Sequence, residues 1–149
     1  MGRVSKNKRL SAKQLQFRVD NRLRKYDNLN FFESFAMFMG KAQLVELSLK
    51  SVLTSKYSYD ENRIERWTLG ATIKELEKCG LRKDFIMLLK DLNEHRIYIA
   101  HELLADDALM KKLAGWKVQR FAWKSLERGL YAVETVILVH DFLATNKYL

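Results

Sequence analysis

The sequence contains no proline, one cysteine and only six glycines among 149 residues. Proline and glycine form most tight turns and break helices, so an all-β protein is not expected. Cys79 has no second cysteine for an intramolecular disulfide. Together with the lack of a secretory leader, this predicts a cytoplasmic setting. No run of about 18 apolar residues occurs, so we expect no membrane span.

Acidic residues are scarce near the N-terminus, and the positive charge is concentrated there. Residues 1–27 contain nine Lys or Arg against two Asp, which is +7 of the net +9. Such a segment attracts phosphate backbones by releasing counterions, but a solvated face that keeps the protein soluble has the same composition. On the first interpretation the nucleic-acid-binding residues are Arg9, Lys13, Arg18, Arg22, Arg24 and Lys25.

Helix-start signals divide the rest of the chain. Residues 1–10 are polar and basic and predict a flexible arm, and residues 11–149 predict one domain. "SAKQ" from Ser11 and "NFFE" from Asn30 have the capping-box form, so we expect helices from there to near Asp27 and Ser55. The polar stretch "KYSYDENRIERW" that follows is interpreted as a loop.

Three further segments have helical patterns. One helix is expected from Thr68 to Gly80 and another from about residue 81 to 104, with a short helix or turn at residues 105–115. The last helix, residues 118–145, is apolar on two faces, one of which includes Tyr131, and should be central or face a partner. The sequence therefore predicts an all-α fold, an up-and-down bundle of four long helices plus one or two short ones.

Arg96 occupies a position in the fourth long helix where the apolar stripe calls for an apolar residue. A guanidinium stays charged, so burial requires a carboxylate, carbonyls, water or a phosphate. One interpretation pairs Arg96 with Glu46 and makes His101 an ordinary interior or boundary histidine. The other is catalytic: His101 lies five residues on, about 140° around the helix, and a two-fold-related copy would bring both side chains into one groove.

That arrangement suits RNA cleavage without a metal or cofactor. A histidine with a pKa near neutrality can accept or donate the protons, and an arginine can hold the phosphate. The sequence contains no Glu-x-x-His pair for a di-iron site, no phosphate-binding glycine loop and no serine nucleophile elbow.

Several segments resemble the HEPN superfamily (higher eukaryotes and prokaryotes nucleotide-binding domains). "RIYIAH" resembles its motif of an arginine followed by four to six residues and a histidine, and "GKAQLVELSLKSVL" and "WTLGATIKEL" resemble its context. The position after the motif arginine is usually polar in the family, whereas here it is Ile97.

The resemblance implies a dimeric, HEPN-like helical domain and, in many members, a metal-independent endoribonuclease. Such members often act as toxins or in phage defence, and some have a cognate antitoxin or another regulatory protein. By this resemblance Arg96 and His101 would be catalytic, with Glu46 in support and RNA as substrate. The alternative is a non-catalytic module that binds nucleic acid or protein, and Ile97 favours it.

Overall fold

The structure, a computed structural model, describes residues 10–101 and 120–149. These residues form helices and contain no β-strand. The helices are α1 (Ala12–Leu23), α2 (Phe31–Tyr57), α3 (Glu61–Ile64), α4 (Leu69–Lys78), α5 (Lys83–Tyr98) and α6 (Arg120–Thr145), and a 3₁₀ turn, Arg24–Tyr26, extends α1. The all-α prediction is therefore confirmed.

The predicted helix starts are formed by side-chain caps. The Ser11 hydroxyl accepts a hydrogen bond from the backbone N–H of Gln14, and the Gln14 side chain accepts one from Ser11 N–H. Asn30 and Glu33 form the same reciprocal pair at α2. The Thr68 hydroxyl caps α4 by accepting from Ala71 N–H. These bonds satisfy backbone donors that a helix start otherwise leaves unpaired.

The segment interpreted as a loop, residues 56–67, is partly helical, and that interpretation was wrong in part. Helix α2 continues to Tyr57 and ends at Ser58, which adopts the left-handed conformation with a φ of 58°. Helix α3 then begins after Asp60, whose carboxylate accepts from Asn62 N–H. The buried side chain of Ile64 anchors this turn. A four-residue helix is too short to show an apolar period, so the pattern did not indicate it.

Helix α6 is the central element of the bundle and packs against α1, α2 and α5. One of its two apolar faces is buried, at Leu126, Leu130 and Val133. The second predicted apolar face is only partly buried: Leu138 is buried, whereas Tyr131 is exposed. A phenol has a polar hydroxyl that water satisfies, so a tyrosine on an apolar stripe can remain at the surface.

A close approach between helices positions the end of α5. Gly129 of α6 is buried, and a Cβ atom there would overlap Ile99 Cδ1 and lie 3.0 Å from Phe38 Cε2. Ile99 and Phe38 are both fully buried. Because glycine has no Cβ atom, α6 can pack closely against Ile99 at Gly129. Ile99 lies between Arg96 and His101 in the sequence.

Some predictions concern residues outside the described ranges. They are the first nine residues of the arm predicted at residues 1–10, with Arg9, the end of the helix predicted to run to residue 104, and the short helix or turn predicted at residues 105–115. Within residues 10–101 and 120–149, no helix has the length and apolar character needed to cross a bilayer.

Candidate functional site

Arg96 lies in the last turn of α5 and points towards α2. Its guanidinium Nη2 is 3.7 Å from Glu46 Oε2, and 26% of its side chain remains exposed. The neighbouring stripe positions Leu89, Leu92 and Ile99 are fully buried. The structure therefore brings Arg96 and Glu46 together, and it leaves about a quarter of the Arg96 side chain open to solvent.

Glu46 is held by a second cation as well. Lys50 Nζ donates to Glu46 Oε1 at 2.9 Å and to the backbone carbonyl of Glu65 at 2.8 Å. Glu46 and Lys50 are four residues apart on α2, so helical geometry places their side chains side by side. Both are buried. Lys50 offsets the charge of Glu46, so the group of Lys50, Glu46 and Arg96 carries a net charge of +1.

His101 is exposed, just beyond α5. Residues 99–101 form a π-type turn, in which each residue advances less around the axis than in an α-helix. His101 is therefore rotated less than about 140° from Arg96, the angle that a regular helix gives. Ile97, four residues before His101, points to the same side and is 51% exposed.

Exposed apolar side chains border this site on both helices. Leu47 follows Glu46 on α2 and is 52% exposed, and Ile97 follows Arg96 on α5. One turn earlier on α2, Leu44 is also exposed. These three large apolar side chains are thus exposed on the two helices that carry Glu46 and Arg96.

The other histidines do not add to this site in the described structure. His95 Nε2 is 3.6 Å from Asp91 Oδ1, one turn back on α5. The His140 ring contacts Phe85, with ring centroids 6.3 Å apart. Phe85 lies in the first turn of α5, eleven residues or about 16 Å along the helix from Arg96.

The predicted nucleic-acid-binding residues divide into two groups. Lys13, Arg18 and Arg24 are exposed and form no ion pair with any other residue of the described ranges. Arg22 and Lys25 instead point inwards to Glu134: Lys25 Nζ lies 2.7 Å from Glu134 Oε1, and Arg22 Nη1 lies 3.8 Å from Oε2. A nucleic-acid phosphate would have to compete with the Glu134 carboxylate for Arg22 and Lys25.

Glu134 is the centre of a polar cluster that sequence reasoning missed. Its side chain is fully buried in the middle of α6. Besides Lys25 and Arg22, it accepts a hydrogen bond of 2.6 Å from the Tyr26 hydroxyl and one from Lys41 Nζ. The signal in the sequence is one acid inside the apolar run "YAVETVILV", since a buried carboxylate requires partners.

Glu134 is ionised because its partners outweigh its burial. Burial by itself raises the pKa of Glu134, but hydrogen bonds from Lys25, Lys41 and Tyr26 leave that pKa below the usual glutamate value. Burial and the hydrogen bond to Glu134 together raise the pKa of the Tyr26 phenol, so Tyr26 stays a donor. The cluster joins α1, the 3₁₀ turn, α2 and α6 through one carboxylate.

Acid is expected to weaken the fold through Glu134. The pKa of Glu134 is lower in the folded chain than in the unfolded chain. At a pH between these two pKa values the unfolded chain binds more protons, so the free energy of unfolding rises with pH in that range. The stability that Glu134 contributes is present above about pH 4.5. It is lost as the pH falls through the pKa of Glu134 in the folded chain. Urea unfolding of the parent and Glu134→Gln between about pH 3 and pH 6 should show a steeper pH dependence in the parent. Equal slopes would contradict this assignment.

Comparison of the chain with models of known families, with characterised proteins and with solved structures gave no match. Arguments about function therefore rest on the residues and their geometry.

Proposed function

We propose that this chain is a HEPN-like, metal-independent endoribonuclease that acts as a homodimer. The observation that carries the proposal is the partial exposure of Arg96. Its guanidinium lies 3.7 Å from Glu46, 26% of its side chain is exposed, and the exposed His101 follows five residues later. An arginine kept only for the core would be enclosed, whereas the exposed part of this one lets a phosphate approach.

The dimer follows from the direction of the two side chains. Within one chain Arg96 and His101 diverge, so one chain alone does not enclose a phosphodiester between them. A two-fold axis beside this end of α5 would place each pair opposite the other. It would also cover Ile97 and Leu47, which are otherwise half exposed. On this proposal Ile97 belongs to the contact between the chains.

The reaction requires only these side chains and the RNA. Neutral His101 accepts the proton of a ribose 2′-hydroxyl, and the 2′-oxygen attacks the adjacent phosphorus. The bond from phosphorus to the 5′-oxygen breaks, and that oxygen takes a proton from the protonated His101 of the partner subunit. The products are a 2′,3′-cyclic phosphate and a 5′-hydroxyl. Arg96 binds the phosphate oxygens, on which negative charge grows in the transition state.

Glu46 is a positioning residue in this mechanism. It holds the Arg96 guanidinium, and Lys50 compensates its charge. Without Lys50, the carboxylate would cancel the charge of Arg96 and weaken its attraction for phosphate. The group's net charge of +1 keeps the exposed part of Arg96 attractive to RNA.

The proposed setting comes from the resemblance to the HEPN superfamily. It comprises a role as a toxin or in phage defence, and control by a cognate antitoxin or another regulatory protein.

A second candidate is a non-catalytic module that binds nucleic acid. The observation that favours it is Ile97, because an exposed apolar side chain stands where a polar one usually helps to orient the site. In that case Arg96 and Glu46 form a structural pair, and the exposed cations of α1 carry the function.

The two candidates differ in whether RNA is cut. The full-length chain is incubated with single-stranded RNA in the presence of EDTA. We expect cleavage that leaves 2′,3′-cyclic phosphate ends, with a rate per chain that rises with protein concentration as dimers form. The double variant Arg96→Ala/His101→Ala should not cut. If the parent leaves RNA intact, or if the double variant cuts as fast as the parent, the ribonuclease proposal is wrong.

A further inference from the structure

Phe17 is an aromatic side chain on the outer face of α1, where 67% of it is exposed. The opposite side of the same helix includes the fully buried Val19, and α1 packs on α6. The helix thus already has a complete apolar contact, and Phe17 takes no part in the core cluster. Exposing a large ring to water is unfavourable, so packing does not explain this residue.

Exposed cations lie before and after Phe17 along the chain. Lys13 lies four residues before Phe17 on α1, on the same side of the helix axis. Arg24 begins the 3₁₀ turn that extends α1, seven residues after Phe17. Arg18 directly follows Phe17. All three are exposed and lack an ion pair within residues 10–101 and 120–149. Asp20, also exposed, is the one acid of this face, so the surface carries +2 over about 16 Å.

We propose that this face of α1 binds single-stranded nucleic acid, with a base stacked on Phe17 and phosphates on Lys13, Arg18 and Arg24. Aromatic rings flanked by cations are how proteins bind single strands with little sequence preference, because every base has a flat face to stack. In a duplex the faces of the bases are already stacked on one another, so Phe17 selects unpaired strands. The proposal extends the ribonuclease proposal, since it names the surface that holds the RNA.

An anionic membrane fits this face less well. A helix that lies in a membrane surface buries a broad apolar side. Here the apolar side of α1 is packed on α6, and the residues one turn from Phe17 on the outer face are all polar or charged: Lys13, Gln14, Asp20 and Asn21. A single phenyl ring leaves too little apolar area for stable membrane attachment.

The test uses a fluorescent single strand of twelve deoxythymidines, which lacks the 2′-hydroxyl and so cannot be cut by the proposed reaction. Fluorescence anisotropy with the full chain should show binding, and Phe17→Ala should raise Kd about tenfold, as expected for losing one stacked base. Phe17→Trp should bind as the parent does. Met87→Ala, which removes an exposed apolar side chain from α5, should not change Kd.

The cations have their own readout. Lys13→Gln should reduce the slope of log Kd against log salt concentration by about 0.7, the share of one phosphate contact on a single strand. Thermal unfolding should show that Phe17→Ala leaves Tm unchanged, because the residue is exposed and outside the core.

Failure of this proposal differs from failure of the ribonuclease proposal. If the parent does not bind the strand, or if Phe17→Ala and the parent bind it equally, the stacking site is wrong whether or not RNA is cut. If Phe17→Ala instead loses binding to phosphatidylserine vesicles and keeps the oligonucleotide, the face binds membranes and the proposal is overturned. If binding depends on Phe17 but the chain does not cut RNA, the stacking site is supported and the ribonuclease proposal is refuted.

Discussion

Glu134→Ala is expected to lower the free energy of unfolding by about 3 kcal/mol. Removing one partner of a buried ion pair leaves the other charges uncompensated, which typically costs 3–5 kcal/mol. The effect should fall near the lower end here, because Arg22 and Lys25 are 34% and 40% exposed and can turn to water. Lys41 and the Tyr26 hydroxyl are more enclosed and lose their acceptor. Urea unfolding at neutral pH measures the change.

Two variants separate the charge from the rest of the side chain. Glu134→Gln keeps an oxygen that can accept from Tyr26 but removes the charge, so we expect a smaller loss of about 1–2 kcal/mol. Glu127→Ala truncates an exposed glutamate of the same helix and should change stability by no more than about 0.5 kcal/mol. If Glu134→Ala were as mild as Glu127→Ala, the cluster would not hold the helices together.

His101→Ala is expected to slow RNA cleavage by a factor of about 10² to 10⁴, the usual share of a general acid or base. The proposed mechanism uses His101 of one chain as the base and His101 of the partner subunit as the acid, so the substitution removes both functions. The single-turnover cleavage rate at saturating protein measures the chemical step apart from binding. Stability should be unchanged, since His101 is exposed.

Matched variants test whether the loss of cleavage rate in His101→Ala comes from this histidine. His95→Ala removes a neighbouring histidine of α5 and should leave the rate as it is. Mixing parent chains with an excess of His101→Ala chains tests the shared site, because the proposed reaction uses His101 of both chains. Most parent chains then pair with a variant chain, and the cleavage rate per parent chain should fall on mixing. A rate for His101→Ala close to that of the parent would refute the assignment.

The parts of the fold that the sequence predicted are those governed by neighbours along the chain. Capping residues at Ser11, Asn30 and Thr68 mark helix starts because their partners lie within three residues. Gly80, with a φ of 87°, ends a helix for an equally local reason. The short helix Glu61–Ile64 was missed because one turn has no period to detect.

The candidate site was predictable only in part. The apolar period placed Arg96 on a core-facing stripe. One of the two interpretations paired it with Glu46, and the structure places the two 3.7 Å apart. The role of Lys50 was not predicted, because its second contact is a backbone carbonyl fifteen residues away, at Glu65. Likewise, the pattern of α1 did not indicate which of its cations point outwards.

By itself, the sequence determined that this protein is helical, where most of its helices begin, and that Arg96 interrupts a buried stripe. These follow from the local geometry of a helix, in which each residue meets others three or four positions away. The tertiary structure alone decided that Glu134 contacts cations from three other elements. It also decided that Glu134 accepts a hydrogen bond from Tyr26, 108 residues away in the sequence. It further decided that Arg96 stays partly exposed and that Phe17 faces water. Burial and long-range pairing depend on which helices meet, and no local pattern specifies that.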